Sequence, residues 1–143
     1  MEGNNIKSIV ANIIIPIIIG ATIYYLTAPN VIFVRYIDDF FGIGFHINYL
    51  STKNVIIIFL RNYLLDMLWG YALVFSVFFV LGNNKADIMK GFVIAFAFSV
   101  VMEILQLLPA CKGTFDMFDI VFMFFAEVAA VFIIRRLTMK EEI

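Results

Sequence analysis

Glu103 and Gln106 stand three residues apart at the end of one strongly apolar segment, and Asp116 and Asp119 stand three apart at the start of the next. Only the short loop 109–114 separates the two pairs. A carboxylate surrounded by hydrocarbon costs several kcal/mol unless it pairs, takes up a proton or lines a polar cavity. Acids gathered at one helix–loop–helix junction therefore mark a site. Two kinds of chemistry suit it. A carboxyl in a partly dry pocket can act as general acid or base, which makes Glu103, Asp116 and Asp119 the candidate catalytic residues. Carboxylate oxygens are also hard ligands, so the group allows a bridging divalent cation such as Mg²⁺ or Ca²⁺, although no cofactor is required.

A second polar group, Arg61, Asn62 and Asp66, opens another apolar stretch. With Gln106 and Thr114 it completes the candidate substrate-binding residues. Arg61 suits a lipid phosphate or a neighbouring carboxylate. Helical spacing puts Asn62 with Asp66 on one face, Ser99 with Glu103 and Gln106 on a second, and Asp116, Asp119, Met123 and Glu127 on a third. Each helix thus presents one polar stripe to the bundle. The cluster is acidic, with only Arg61 and Lys112 against Asp66, Glu103, Asp116 and Asp119, so shared protons or a bound cation are expected. One aspartate, or Thr114, caps the following helix. Glu127 falls about two turns deeper, and Ser76 is its expected hydrogen-bond partner.

These residues need elements to hold them, and the composition says which. The chain is 143 residues long and 64% hydrophobic, with 17 Phe, whereas soluble domains are about 45–50% apolar. It therefore reads as an all-α, polytopic membrane protein of one domain, a four-helix bundle spanning at about 8–27, 63–81, 88–108 and 116–136. The first apolar run is too long for a signal peptide and lacks a cleavage pattern, so it reads as a retained span. Pro16 lies within it, where a lipid-buried helix tolerates a kink. The linker 28–62 is too polar to span and too greasy for a free loop. Its aromatic residues predict one or two interfacial helices, although Val55–Leu60 could instead lengthen the second span.

Lys7, Lys85, Lys90, Arg135, Arg136 and Lys140 fall on one face of this topology, and Arg35, Lys53, Arg61 and Lys112 on the other. That bias places both termini in the cytoplasm. The acidic junction and the Arg61 group then share one depth near the outer surface. The net charge of −1 and the lack of a basic patch argue against nucleic acid. Cys111 is the single cysteine, so it forms no intrachain disulfide and reads as a small loop residue. His46, the single histidine, reads as an interfacial side chain without the partners a zinc site needs. Trp69 and Tyr71 read as packing residues, with Trp69 placed to shield Asp66.

The step Glu103-Ile-Leu-Gln106, a short loop, then Asp116-Met-Phe-Asp119 resembles the VanZ-like membrane proteins, as does Arg61-Asn-Tyr-Leu-Leu-Asp66-Met-Leu-Trp69-Gly-Tyr71 upstream. The resemblance covers about residues 61–136. It departs from the family at Met123, where many members have asparagine, and at Asp66, which stands where a histidine is common. The resemblance implies a bacterial cytoplasmic membrane protein connected with the cell envelope, in a family whose name-giving member is linked to teicoplanin resistance.

Three functions fit the residues. The first is binding or processing an envelope lipid, glycolipid or lipid-linked precursor at an acidic pocket in the outer leaflet. The second is a non-enzymatic accessory protein whose acidic cluster locks the helices or docks a partner. The third is a proton-coupled transporter, with Asp119 and Glu127 as relay and a dimer supplying further helices.

Overall fold

The computed structural model describes residues 3–28, 31–46, 55–82, 84–108 and 115–139. Among these the chain is entirely helical. Helix α1 is Gly3–Thr27 and α2 is Ile32–Phe41. Helix α3, Val55–Phe59, passes through a π-helical turn, Leu60–Leu64, into α4, Leu65–Leu81. Helices α5, Asp87–Leu105, and α6, Met117–Met139, complete the chain. Four stretches, Ile6–Thr27, Val55–Leu81, Asp87–Leu105 and Met117–Met139, are long and apolar enough to cross a membrane. The chain is thus a multi-pass helical membrane protein with its linker helix α2 between the first two spans.

The span ends shift from the sequence expectation in one instructive place. The second begins at Val55, not near residue 63, because the helix continues through the polar pair Arg61–Asn62 by widening into the π turn. The linker is correspondingly shorter and holds one described helix. Residues 47–54, with Tyr49 and Lys53, lie outside the described residues. Helix α1 runs on through Pro16 without interruption.

Helix α4 is the hub, packing against α1, α5 and α6. The core is Ile9 from α1, Val74, Phe75 and Phe78 from α4, Ile88 and Ala95 from α5, and Ala130, Val131 and Ile134 from α6. Small residues set the closest approach, as they do between membrane helices generally. A Cβ built at Gly91 would meet the Phe78 backbone nitrogen at 3.4 Å, so α5 seats directly on α4. Outward-facing side chains such as Ile18, Val80, Val93, Phe125 and Phe132 are exposed and apolar, the surface that lipid covers. Polar bonds also tie the spans: the Tyr71 hydroxyl on α4 donates to Asn12 Oδ1 on α1 at 2.6 Å. Tyr71 therefore does more than pack.

Glycines stop two helices where the backbone turns left-handed. Gly42 (φ 65°) and Gly82 (φ 112°) follow α2 and α4, and their N–H groups bond to Asp38 O and Phe78 O. A side chain would strain both positions.

Candidate functional site

The predicted polar stripes meet at the end of the bundle where α1 finishes. On α5, Ser99 and Glu103 are buried, and on α6 Met123 and Glu127 are buried, so the faces read from spacing do turn inward. Glu103 is only 3% exposed. Its Oε1 accepts from the backbone N–H of Asp116 at 2.9 Å, and its Oε2 from Gln106 Nε2 at 2.7 Å. One carboxylate thus closes the α5–α6 junction by satisfying an amide one residue before α6 and an amide side chain one turn along its own helix.

Asp116 is the cap of α6. Its Oδ1 accepts from the Phe118 N–H at 2.9 Å, and its carbonyl accepts from the Asp119 N–H at 3.1 Å. Such a cap satisfies donors that a helix start leaves orphaned and places negative charge where the helix favours it. Thr114, its rival for that role, lies outside the described residues, as do Cys111 and Lys112.

Asp119 differs. Its Oδ1 is buried with no hydrogen-bond partner among the described residues, and it lies within electrostatic reach of Asp66, Glu103 and Asp116. Of the three candidate catalytic carboxyls, it is the one with a buried oxygen that has no partner among the described residues. Proton-transfer chemistry at this junction would therefore fall on Asp119. Among the described residues, no group of three or more His, Cys, Asp or Glu side chains is arranged to hold a metal ion.

The second polar group adjoins this junction through Asp66. Arg61, Asn62 and Asp66 line a cleft of about 420 Å³ between α1 and the π turn and start of α4. Its other walls are Pro16, Ile17, Gly20, Ala21, Tyr24, Leu65, Leu68 and Trp69. The acids do come within electrostatic reach of one another, Asp119 of Asp66, Glu103 and Asp116, and Asp66 of Glu103, but only Asp66 among them lines this cleft. Glu103, Gln106, Asp116 and Asp119 do not line the cleft; Asp66 links the two regions, feeling the charge of Glu103 on one side and Arg61 on the other. Trp69 forms cleft wall beside Asp66 and is 55% exposed.

The π turn positions this end of the cleft. On one side of it, Phe59 and Tyr63 pack on Phe122 of α6 with ring centroids 5.6 and 4.8 Å apart. On the other, the Arg61 guanidinium lies 5.5 Å from the centroid of the Tyr24 ring, a cation–π distance. Arg61 Nε is buried without a hydrogen-bond partner among the described residues. Single π turns recur at functional sites because they re-aim side chains within a continuous helix. Nothing in the local hydropathy announced this one.

Glu127 is fully buried at 0% exposure. Ser99 Oγ of α5 donates to its Oε1 at 2.7 Å, whereas Ser76, the partner expected from the sequence, bonds to Ala72 O on its own helix. A serine one turn from a carbonyl can satisfy itself locally, so Ser76 turns back and Ser99 takes the role. Gly70 makes room: a Cβ there would lie 3.2 Å from Glu127 Oε1. Glu127 therefore joins α4, α5 and α6 by one bond and one close packing contact.

His46 is more engaged than an interfacial histidine needs to be. Its Nε2 lies 2.7 Å from Asp38 Oδ2 and its Nδ1 lies 3.0 Å from Tyr25 O, while the Tyr25 hydroxyl donates to Asp38 Oδ1. A carbonyl and an ionised carboxylate only accept, so both contacts are satisfied together when both ring nitrogens carry protons. The Tyr25 bond, with His46 adding to it against the opposing cost of burial, holds the Asp38 carboxyl below its usual range. This latch fastens α2 and the residues after it to the end of α1, one residue from Tyr24 at the cleft.

Compared with family models, with curated proteins and with solved structures, the chain returns no match.

Proposed function

We propose that this is a VanZ-like protein of the bacterial cytoplasmic membrane, with both termini in the cytoplasm, that binds an envelope lipid in the cleft between α1 and α4. The observation that carries this reading is the cleft's polarity. One end holds Arg61, Asn62 and Asp66, and the rest is apolar helix surface. That is the distribution an amphiphile needs, with its headgroup phosphate on Arg61 and its chain along Ile17, Gly20, Ala21 and Leu68. The position of Arg61 six residues into a span-length helix keeps it close to headgroup depth.

Ala21→Trp tests the reading by filling the cleft without touching a charge. Lipid phosphorus retained per protein after purification in mild detergent should fall about tenfold, the equivalent of about 1.4 kcal/mol. Equal retention by the two proteins would remove the cleft from consideration.

A second reading is favoured by the closure of Glu103 by Asp116 and Gln106. In it the acidic junction is architecture, and the protein is a non-enzymatic accessory component. The two readings are compatible, since Glu103 is closed by Asp116 and Gln106 while the cleft is lined by other residues.

A further inference from the structure

The cleft is not simply a basic site for any phosphate. Arg61 and Asp66 both line it, five residues apart across the widened turn. Asp66 feels the Arg61 charge as an attraction through space, with no hydrogen bond from it. The two opposite charges therefore share the cleft wall without an ion pair between them, and Arg61 Nε has no hydrogen-bond partner among the described residues. Behind Asp66 the surroundings are acidic, with Glu103 and Asp119 in electrostatic reach.

A purely anionic headgroup would answer Arg61 and add negative charge next to these carboxylates. A headgroup that brings its own cation answers both ends. A quaternary ammonium has no N–H to give a carboxylate and prefers an aromatic cage, but Tyr24 already lies against Arg61, leaving Trp69 alone among the aromatic side chains of the cleft walls. A primary ammonium, with three donors, fits the carboxylate best.

We infer that the cleft selects an aminophospholipid headgroup, its phosphate on Arg61 and its protonated primary amine on Asp66. The inference rests on the lipid-cleft reading above and deepens it by naming the headgroup class. Asn62 also lines the cleft.

The test uses the full chain in nanodiscs containing equal parts dioleoyl phosphatidylethanolamine, phosphatidylglycerol and phosphatidylcholine, with native mass spectrometry of the lipid that stays bound. Wild type should retain the ethanolamine lipid about tenfold over the other two, the ratio one hydrogen bond to a charged group sustains. In Asp66→Asn that ratio should fall to within about twofold with total lipid retention kept, since the amide loses the charge-assisted acceptor. Arg61→Gln should lower retention of all three.

A series with one, two and three methyl groups on the amine, offered to wild type, makes the same measurement without a variant. Retention should drop stepwise as donors are removed. Preference for the glycerol or choline lipid, a methylation series without effect, or an Asp66→Asn protein of wild-type helicity that keeps its preference would each overturn the assignment while leaving lipid binding intact. If wild type retains none of the three lipids, the cleft reading falls as well.

Discussion

The acidic junction and the cleft occupy the same end of the bundle, and both are built around carboxylates entering from neighbouring helices. They differ in what answers those carboxylates. Glu103 is met by the chain itself, through the Asp116 amide and Gln106. Asp66 lines a cleft, beside an arginine whose Nε has no hydrogen-bond partner among the described residues. One carboxylate is closed by hydrogen bonds and another lines a cleft. Polar residues in a membrane thus carry two messages, and what separates them is whether the protein supplies the partner.

The contrast predicts opposite mutational signatures. Glu103→Leu leaves the Asp116 amide and Gln106 without their acceptor in a buried site, which costs about 1–3 kcal/mol for each unsatisfied group. It should therefore cause the largest loss of stability in the molecule, read as the midpoint of unfolding in a denaturing detergent titration. Arg61→Gln and Asp66→Asn remove charges that make no ion pair with each other among the described residues, and should shift the same midpoint by about 0.5 kcal/mol or less. If the cleft variants unfold as easily as the junction variant, the two regions are one structural unit and the comparison collapses.

Glu103→Gln sharpens the distinction. Its amide oxygen can still accept from Asp116, but the other end now offers a donor where Gln106 also offers one. The expected loss is about 1 kcal/mol, one ordinary hydrogen bond. Combining it with Gln106→Glu restores a donor–acceptor pair, and recovery of the midpoint in the double variant checks that the bond between them is the cause.

Much of the junction was legible in the sequence and little of the cleft was. Glu103, Gln106, Asp116 and Asp119 are close along the chain, and helical spacing alone turns them toward a common point. The four spans follow from hydropathy, except where Arg61 and Asn62 interrupt an apolar run that the backbone carries across by a π turn. The cleft's far wall is uncharged α1, and a gap between two apolar helices has no signature in either one. The partner of Glu127 was misassigned for a related reason. Ser76 and Ser99 both lie on inward stripes, and only packing decides between them. The Tyr71–Asn12 bond spans 59 residues, and the His46–Asp38–Tyr25 latch depends on how the chain turns after α2.

Glu127 gives a smaller effect, since Ser99 meets its Oε1 while its buried Oε2 has no partner among the described residues. Ser99→Ala removes its hydrogen bond and should cost about 0.6 kcal/mol, the average for interhelical bonds within a membrane protein. A change of several kcal/mol would mean that Glu127 depends on Ser99 to remain buried at all, and would move it from packing toward a working role.

The latch supplies the most local test, outside the spans, where pH acts directly. The Asp38 carboxyl is held below its ordinary range, so its contribution is fully present above the ordinary aspartate value of about 3.9. That contribution is lost as the pH falls through the depressed folded value, because the unfolded chain then binds the proton more readily than the folded one. In thermal unfolding followed by circular dichroism, wild type should exceed Asp38→Asn by a constant margin between about pH 5 and 6. The margin should close as the pH drops below about 3.9. Asp66→Asn, compared with wild type in the same buffers, separates this local effect from acidification of the bundle. A margin that instead widened on acidification would show that the latch holds α2 through Asp38 in its neutral form, and the ionised Asp38 carboxylate would lose its role in fastening α2 beside the cleft.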